Sequence, residues 1–287
     1  MTECTDTFEE LKQEAERIAK DLDIPPSPAI LVKFTQEFNS PHPDLRRLAA
    51  LISTDIGLSA TLLKTVNSPL YGLARKASSV DQALSILGLR ASANLISGLM
   101  LRHAFPAGEG PAMARFWEKS THIAGLAAAI AARLEGVQRD EAHTFVLFRD
   151  CGMLVMLRKF AQYADLMEHG AEIPGAQLTR IEDTRFRFNH ARVAYALGRS
   201  WSLPEPLCDA ILRHHDFTLL RGSATERGAA DCRLVAFGLL AEQIATLHLN
   251  KGLCPDWHSG EQFVLDTLQI DADRIVELTA ALAATAD

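Results

Sequence analysis

The sequence predicts an all-α protein built from two packed helical subdomains. Three observations lead there. Apolar residues recur at three- and four-residue steps along almost the whole chain, and period-two alternation is almost absent. One stretch, Pro106-Ala107-Gly108-Glu109-Gly110-Pro111, has two Pro and two Gly in six residues and divides the helical segments into two runs. With 287 residues, 48% of them hydrophobic, the chain suits one large or two small domains, at about 100–200 residues per domain. It is too apolar for global disorder.

The elements follow in order. Thr7 and Glu10 have the spacing of a capping box, and Phe8, Leu11, Ala15, Ile18 and Leu22 form one apolar stripe up to Pro25-Pro26. Ser27-Pro28 starts a helix whose face is Ile30, Leu31, Phe34 and Phe38. Pro41 and Pro43 break it. Leu45, Leu48, Ala49 and Ile52 make the next face. Leu58, Leu62, Leu63 and Val66 make another, stopped by Asn67-Ser68-Pro69. Ser79 caps a short helix that Gly88 ends in a left-handed conformation, and a longer helix runs on to about Phe105.

Beyond the linker, a long helix carries Phe116, Trp117, Ser120, Ile123, Ala124, Ala127 and Ala131, closed by Gly136. Helical segments are expected over Phe145–Leu157, Phe160–Glu168, Gln177–Phe188, Ala191–Arg199, Glu205–His215 and Asp231–Leu249. Arg221 to Gly228 reads as a loop, and Ser259 and Asp271 as helix caps. The expected division is an N-terminal helix over 1–23, helical halves over 24–106 and 111–250, and a helical extension over 251–287.

A formal net charge of -7 argues against a dedicated nucleic-acid binder, which needs a basic face to displace counterions from phosphates. Cys4, Cys151, Cys208, Cys232 and Cys254 form no C-x-x-C pair. They read as reduced, buried thiols of a cytoplasmic protein. The N-terminal segment is charged and resembles no secretory signal. The alanine-rich run from Ile123 to Ala132 is too short to span a bilayer, so no membrane association is expected. There is no Gly-rich phosphate loop, no G-x-S-x-G, no zinc-type Cys/His set and no dinucleotide fingerprint. No cofactor is expected.

Several phrases stand in a telling order: Ile24-Pro25-Pro26-Ser27-Pro28-Ala29-Ile30, Leu51-Ile52-Ser53-Thr54-Asp55, Leu62-Leu63-Lys64-Thr65-Val66-Asn67-Ser68-Pro69-Leu70-Tyr71-Gly72, and Ala83-Leu84-Ser85-Ile86-Leu87-Gly88-Leu89-Arg90. Singly, these are helix stops, turns and core leucines. Together they resemble the HDOD domains, bacterial regulatory modules related to the HD phosphohydrolases. The resemblance covers roughly Leu22 to Leu249. It implies an HD-like helical bundle in the second half.

An active HD hydrolase holds one or two divalent cations with a His, an adjacent His-Asp pair and a later Asp. Against that pattern, Lys119 stands at the first histidine and Arg149 at the histidine of the pair, next to the retained Asp150. The later Asp position matches loosely at Ala241-Glu242. Arg has no lone pair to offer, and two cations repel a third. The expectation is therefore a vestigial site without metal and without catalytic residues, in which Asp150 pairs with Arg149 or Lys119. Asn189-His190 and Arg213-His214-His215 resemble later blocks of the family. His122, three residues after Lys119, shares its helix face and could replace the lost ligand. Adjacent helical residues point about 100° apart, so His214 and His215 are not expected to face one pocket. Each histidine, His143 and His248 included, is more often a surface or hydrogen-bonded core residue than a ligand.

The resemblance implies a non-catalytic signalling module that binds a partner protein or a small anionic or nucleotide ligand, in a cyclic-dinucleotide or two-component context. The alternative is a residual phosphohydrolase acting on a nucleotide or phosphate ester through Asp150, His190 and His214. A third reading has Lys119 and Arg149 binding a nucleotide's phosphate directly, without turnover.

Overall fold

The computed structural model describes residues 3–68, 71, 73, 76–217, 220, 226–249 and 251–283. The described residues are 75% helical, with no strand among them, as the periodicity predicts. It divides into two compact units, Pro26–Pro106 and a second formed by Met1–Pro25 together with Ala107–Asp287.

The Pro26–Pro106 unit contains α2 (Ala29–Phe38), α3 (Leu45–Ser53), α4 (Ile56–Val66) and α5 (Val80–Ala104). Leu31, Phe34, Leu48, Ala49, Ile52, Leu58, Leu62, Val66, Ala83 and Leu84 are buried in its core. Side-chain caps set the starts of α3, α4 and α5. Asp44 accepts from the Arg46 amide at 2.8 Å, Asp55 from Leu58 at 2.9 Å and Ser79 from Gln82 at 3.2 Å. α2 starts without such a cap, after Pro28 rather than Ser27. Asn67 does more than stop α4. Its amide nitrogen donates to the Ala77 carbonyl at 2.8 Å and its oxygen accepts from the Ala77 amide at 2.7 Å, which pins the two ends of the following loop together. Pro69, Leu70 and Gly72 of the same phrase lie outside the described residues. Gly88, at φ 75° and ψ 176°, ends the first part of α5 with the positive φ expected of it, a backbone conformation that glycine adopts without strain.

The other unit begins with α1 (Glu3–Asp21). It resumes with a 3-10 turn (Ala107–Glu109), α6 (Pro111–Ala131), α7 (Arg139–Arg149), α8 (Gly152–Lys159), α9 (Tyr163–His169), α10 (Gly175–Phe186), α11 (His190–Ser200), α12 (Glu205–Arg213), α13 (Glu226–His248), α14 (Trp257–Leu268) and α15 (Ala272–Ala283). α6 packs on α7 and α13, α11 on α8 and α12, and α1 lies along α11. The buried stripe Ala15, Ile18 and Leu22 of α1 makes that contact possible. The Trp201 indole N–H donates to the Pro25 carbonyl at 3.0 Å, and Arg192 pairs with Glu14 at 3.2 Å.

Several boundaries differ from expectation. α1 extends upstream of Thr7, so Thr7 lies inside the helix rather than at its start. The segment expected over Phe145–Leu157 is two helices, separated at Asp150-Cys151. Glu226 to Gly228, expected as loop, begin α13, while Arg221 to Thr225 lie outside the described residues. Ser259 falls within α14, which starts after Asp256. Asp271 does cap α15, accepting from the Arg274 amide at 2.8 Å. α12 ends at Arg213, two residues earlier than expected, and this reshapes the site.

Candidate functional site

Asp150 stands at the break between α7 and α8. The two helices meet there because the next helix starts on Gly152. A Cβ at Gly152 would lie 2.0 Å from the His190 carbonyl oxygen and 2.8 Å from the Ala194 amide, so only glycine lets α8 lie flush against α11. That contact places His190, the first residue of α11, beside Asp150, with 3.6 Å between Nε2 and Oδ1.

His190 is fully buried. Its ring Nδ1 and its backbone amide both bond Glu182 Oε2, at 2.7 and 2.9 Å. Glu182 is itself buried in α10 and accepts from the Tyr163 hydroxyl at its other oxygen. Because a carboxylate only accepts, the Nδ1 of His190 carries a proton and its Nε2 faces Asp150.

His214 and His215 follow the end of α12, so the helical rule that separates adjacent side chains by about 100° does not govern them. Both enter the site, contrary to the expectation from a longer helix. His214 Nδ1 donates to the Ile211 carbonyl at 2.6 Å, and its Nε2 lies 3.2 Å from Asp150 Oδ1. His215 Nδ1 bonds Asp256 Oδ2 at 2.7 Å, and its Nε2 lies 3.0 Å from His190 Nε2. Asp256 Oδ1 accepts from the Gly175 amide at 2.7 Å. Any side chain at Gly175 would occupy the His215 ring. One ligand-type atom from each of Asp150, His190, His214 and His215 lies within 4.8 Å of the others.

On the other side of Asp150 lies a chain of ion pairs. Arg149, whose side chain is only 7% exposed, donates from Nε to Asp150 Oδ2 at 3.2 Å and from Nη2 to Glu242 Oε2 at 2.7 Å. Lys119 reaches Glu242 Oε1 at 2.7 Å from a side chain that is 63% exposed. Burial opposes charge on Asp150, but Arg149, then His214 and His190, hold its carboxyl well below the usual range. Burial likewise raises Glu242, and Lys119 and Arg149 outweigh it to bring the group to about 2. Glu242 raises Lys119. Burial and the neighbouring His215 lower His214 to about 4. His190 is raised despite its burial, chiefly by Glu182.

The structure therefore brings together Asp150, His190, His214 and His215, and joins Arg149 and Lys119 to them through Asp150 and Glu242. Arg149 is the cation that holds Asp150. Lys119 serves Glu242, the loosely matched later position. His122 is exposed on α6 and is not one of the four. Three residues along a helix is about 60° off the face of Lys119, enough to turn it to solvent. Sequence reasoning missed Glu182 and Asp256, the carboxylates behind His190 and His215. Neither stands next in sequence to the histidine it serves. The HD ligand positions at Lys119 and Arg149 do not fit a metal, since neither charged side chain has a lone pair and both are bonded to carboxylates.

Against known proteins, residues 24–217 match the family model described as HDOD domain. The chain is 28% identical over 199 residues to an uncharacterized protein of Treponema pallidum (strain Nichols), a match covering 68% of this chain and 38% of that longer protein. A crystal structure of an HDOD domain protein of unknown function from Geobacter sulfurreducens is 25% identical, with a TM-score of 0.65 and coverage of 96% of this chain and 97% of the other. A candidate phosphohydrolase from Shewanella amazonensis SB2B is 22% identical, with a TM-score of 0.68 and 93% coverage of both. The matched span takes in α2 through α12, including Arg149, Asp150 and all three site histidines, and on that basis the chain belongs to the HDOD domain family.

Proposed function

We propose that this chain is a non-catalytic regulatory HDOD module of the bacterial cytoplasm. It takes up a signal by binding a partner protein or small ligand, in a cyclic-dinucleotide or two-component pathway. The observation that carries the reading is the Arg149 guanidinium, buried between Asp150 and Glu242. HD chemistry needs an open cation at that place, to acidify a bound water for attack on phosphorus. A permanently charged group with no lone pair fills it instead. Lys119 of α6, Asp150 at the end of α7, His190 of α11, His214 after α12 and Glu242 of α13 surround it, so anything bound there bears on the packing of five helical segments. That is a route by which occupancy becomes a change of surface.

A second reading is favoured by the convergence of Asp150, His190, His214 and His215. In it the protein is a residual metal-dependent phosphohydrolase of a nucleotide or phosphate ester. Direct nucleotide binding by Lys119 and Arg149 has less support, because both charges already serve Glu242 and Asp150. The discriminating experiment incubates purified protein with p-nitrophenyl phosphate, bis(p-nitrophenyl) phosphate and nucleoside phosphates, in Mg2+, Mn2+ or Zn2+. No turnover above background is expected. Turnover that Asp150→Ala abolishes would overturn the non-catalytic reading.

A further inference from the structure

We infer that the groove between α2 and the α3–α4 corner of the Pro26–Pro106 unit is a contact by which two copies of this chain pair about a two-fold axis. The inference goes beyond the regulatory reading and does not depend on it. It uses none of the residues around Asp150.

One wall of the groove is α2, through Ala29, Ile30 and Lys33. The other is the end of α3 and the start of α4, through Leu51, Asp55, Ile56 and Gly57. About 610 Å3 lies between them. Both walls draw on phrases singled out in the sequence for their order, Ile24 to Ile30 and Leu51 to Asp55. Ile56 is 85% exposed, more than any other large hydrophobic residue among those described. It opens α4, whose buried face is made by Leu58, Leu62 and Val66 without it. Val32 lies three residues after Ala29, hence on the same side of α2, and is exposed as well. Gly57 is out of place by folding criteria alone. Helices disfavour glycine, its φ is not positive, and an added Cβ would meet only Asp55 Oδ1, at an ordinary 3.4 Å. Packing among the described residues therefore does not require glycine there. A body seated in the groove beside Ile56 does.

Shape and charge together name the occupant. The patch holds an apolar hollow and, on its rim, an apolar knob. Lys33 stands on one wall and Asp55 on the other. Asp55 gives Oδ1 to the Leu58 amide at 2.9 Å, and among the described residues no ion pair joins it to Lys33 or to another cation. A two-fold axis through the groove sets the α2 wall of one copy against the α3–α4 wall of the other, so that the same patch serves both sides. Ile56 of each chain then enters the hollow lined by Ala29, Ile30 and Leu51 of the other. Lys33 of each chain meets Asp55 of the partner subunit. Two ion pairs form where each chain alone offers an unmatched cation and a half-used carboxylate. A foreign partner would have to reproduce both the knob and the reversed order of charges, whereas a second copy carries them already. The contact is small, below the roughly 1,200 Å2 of lasting complexes. The formal net charge of -7 also opposes pairing. A Kd of about 10–100 µM suits such a surface.

The test is sedimentation velocity on the full chain over about 1–500 µM, where the weight-average mass should climb from the monomer towards twice that value. Ile56→Asp and Gly57→Leu should each weaken pairing by roughly tenfold or more. Neither should melt below the parent, because Asp suits the first turn of a helix and Leu suits a helix better than Gly does. Lys33→Glu should weaken pairing by about threefold to tenfold, since two exposed ion pairs become two repulsions, and Lys33→Arg should pair like the parent. Val276→Asp, at an exposed apolar residue of α15, should also pair like the parent. A parent chain still monomeric at about 500 µM would overturn the second copy as occupant. So would a dimer that both α4 variants leave intact, or one that Val276→Asp breaks equally. Should the variants fail to fold, zero-length carbodiimide coupling of mixed isotopically light and heavy parent chains decides. It should give an amide between Lys33 of one chain and Asp55 of the partner subunit, and a coupled dimer lacking that amide would overturn the assignment.

Discussion

Replacing Arg149 with methionine keeps most of the side-chain volume and removes the charge that two carboxylates share. Asp150 and Glu242 are 20% and 16% exposed, so both are left in a place where an unpaired ion is expensive. Breaking a buried pair from one side typically costs about 3–5 kcal/mol. Glu242 keeps Lys119, whose largely exposed side chain offers a screened partner, so the lower end, about 3 kcal/mol, applies. For a folding unit of this size, each 1 kcal/mol moves the melting temperature by roughly 2–4 °C. Arg149→Met should therefore lower Tm by about 6–12 °C, read by circular dichroism at 222 nm or by calorimetry. Adding Asp150→Asn should recover part of the loss, because the carboxylate left without its cation is then neutral. A single variant that melts within about 2 °C of the parent would show that the guanidinium is not the counter-charge described.

Gly152→Ala should destabilise the protein by about 3 kcal/mol, at the upper end for overpacking, since the added carbon meets backbone atoms of α11 rather than a movable side chain; chemical denaturation measures it. Acid should weaken the fold through Glu242. Its folded pKa of about 2 lies below the ordinary 4.5, so its contribution is complete above pH 4.5 and is lost as pH falls through that value toward 2. Urea midpoints from pH 7 to pH 3 should fall less steeply in Glu242→Gln than in the parent, and parallel curves would refute the assignment.

Much of the architecture is legible because helices announce themselves locally. The stripe Ala15, Ile18, Leu22 and the caps at Ser79 and Asp271 need only near neighbours to be recognised. The site is legible at Lys119, Arg149 and Asp150, where the departure from a known pattern is written in consecutive residues. At His214-His215 the sequence misleads, because the direction of the two rings depends on whether α12 continues for two more residues. Glu182 and Asp256 leave no local trace at all. These residues lie 8 and 41 positions from the histidines they serve, and no periodicity links one to the other. Tertiary hydrogen bonds of that kind are decided by how helices cross, which a single sequence states only through details such as Gly152 and Gly175.

The interrupted unit has a consequence for synthesis. α1 finds its place along α11, yet the chain between them includes the whole of Pro26–Pro106 and five further helices. At about 5–20 residues per second, a ribosome needs roughly 10–40 s after completing Asp21 to deliver Ser200. Throughout that interval Ala15, Ile18 and Leu22 lack the surface that buries them in the finished protein. Nascent chains released before α11 emerges should therefore be captured by chaperones or degraded, and chains released just after it should be spared.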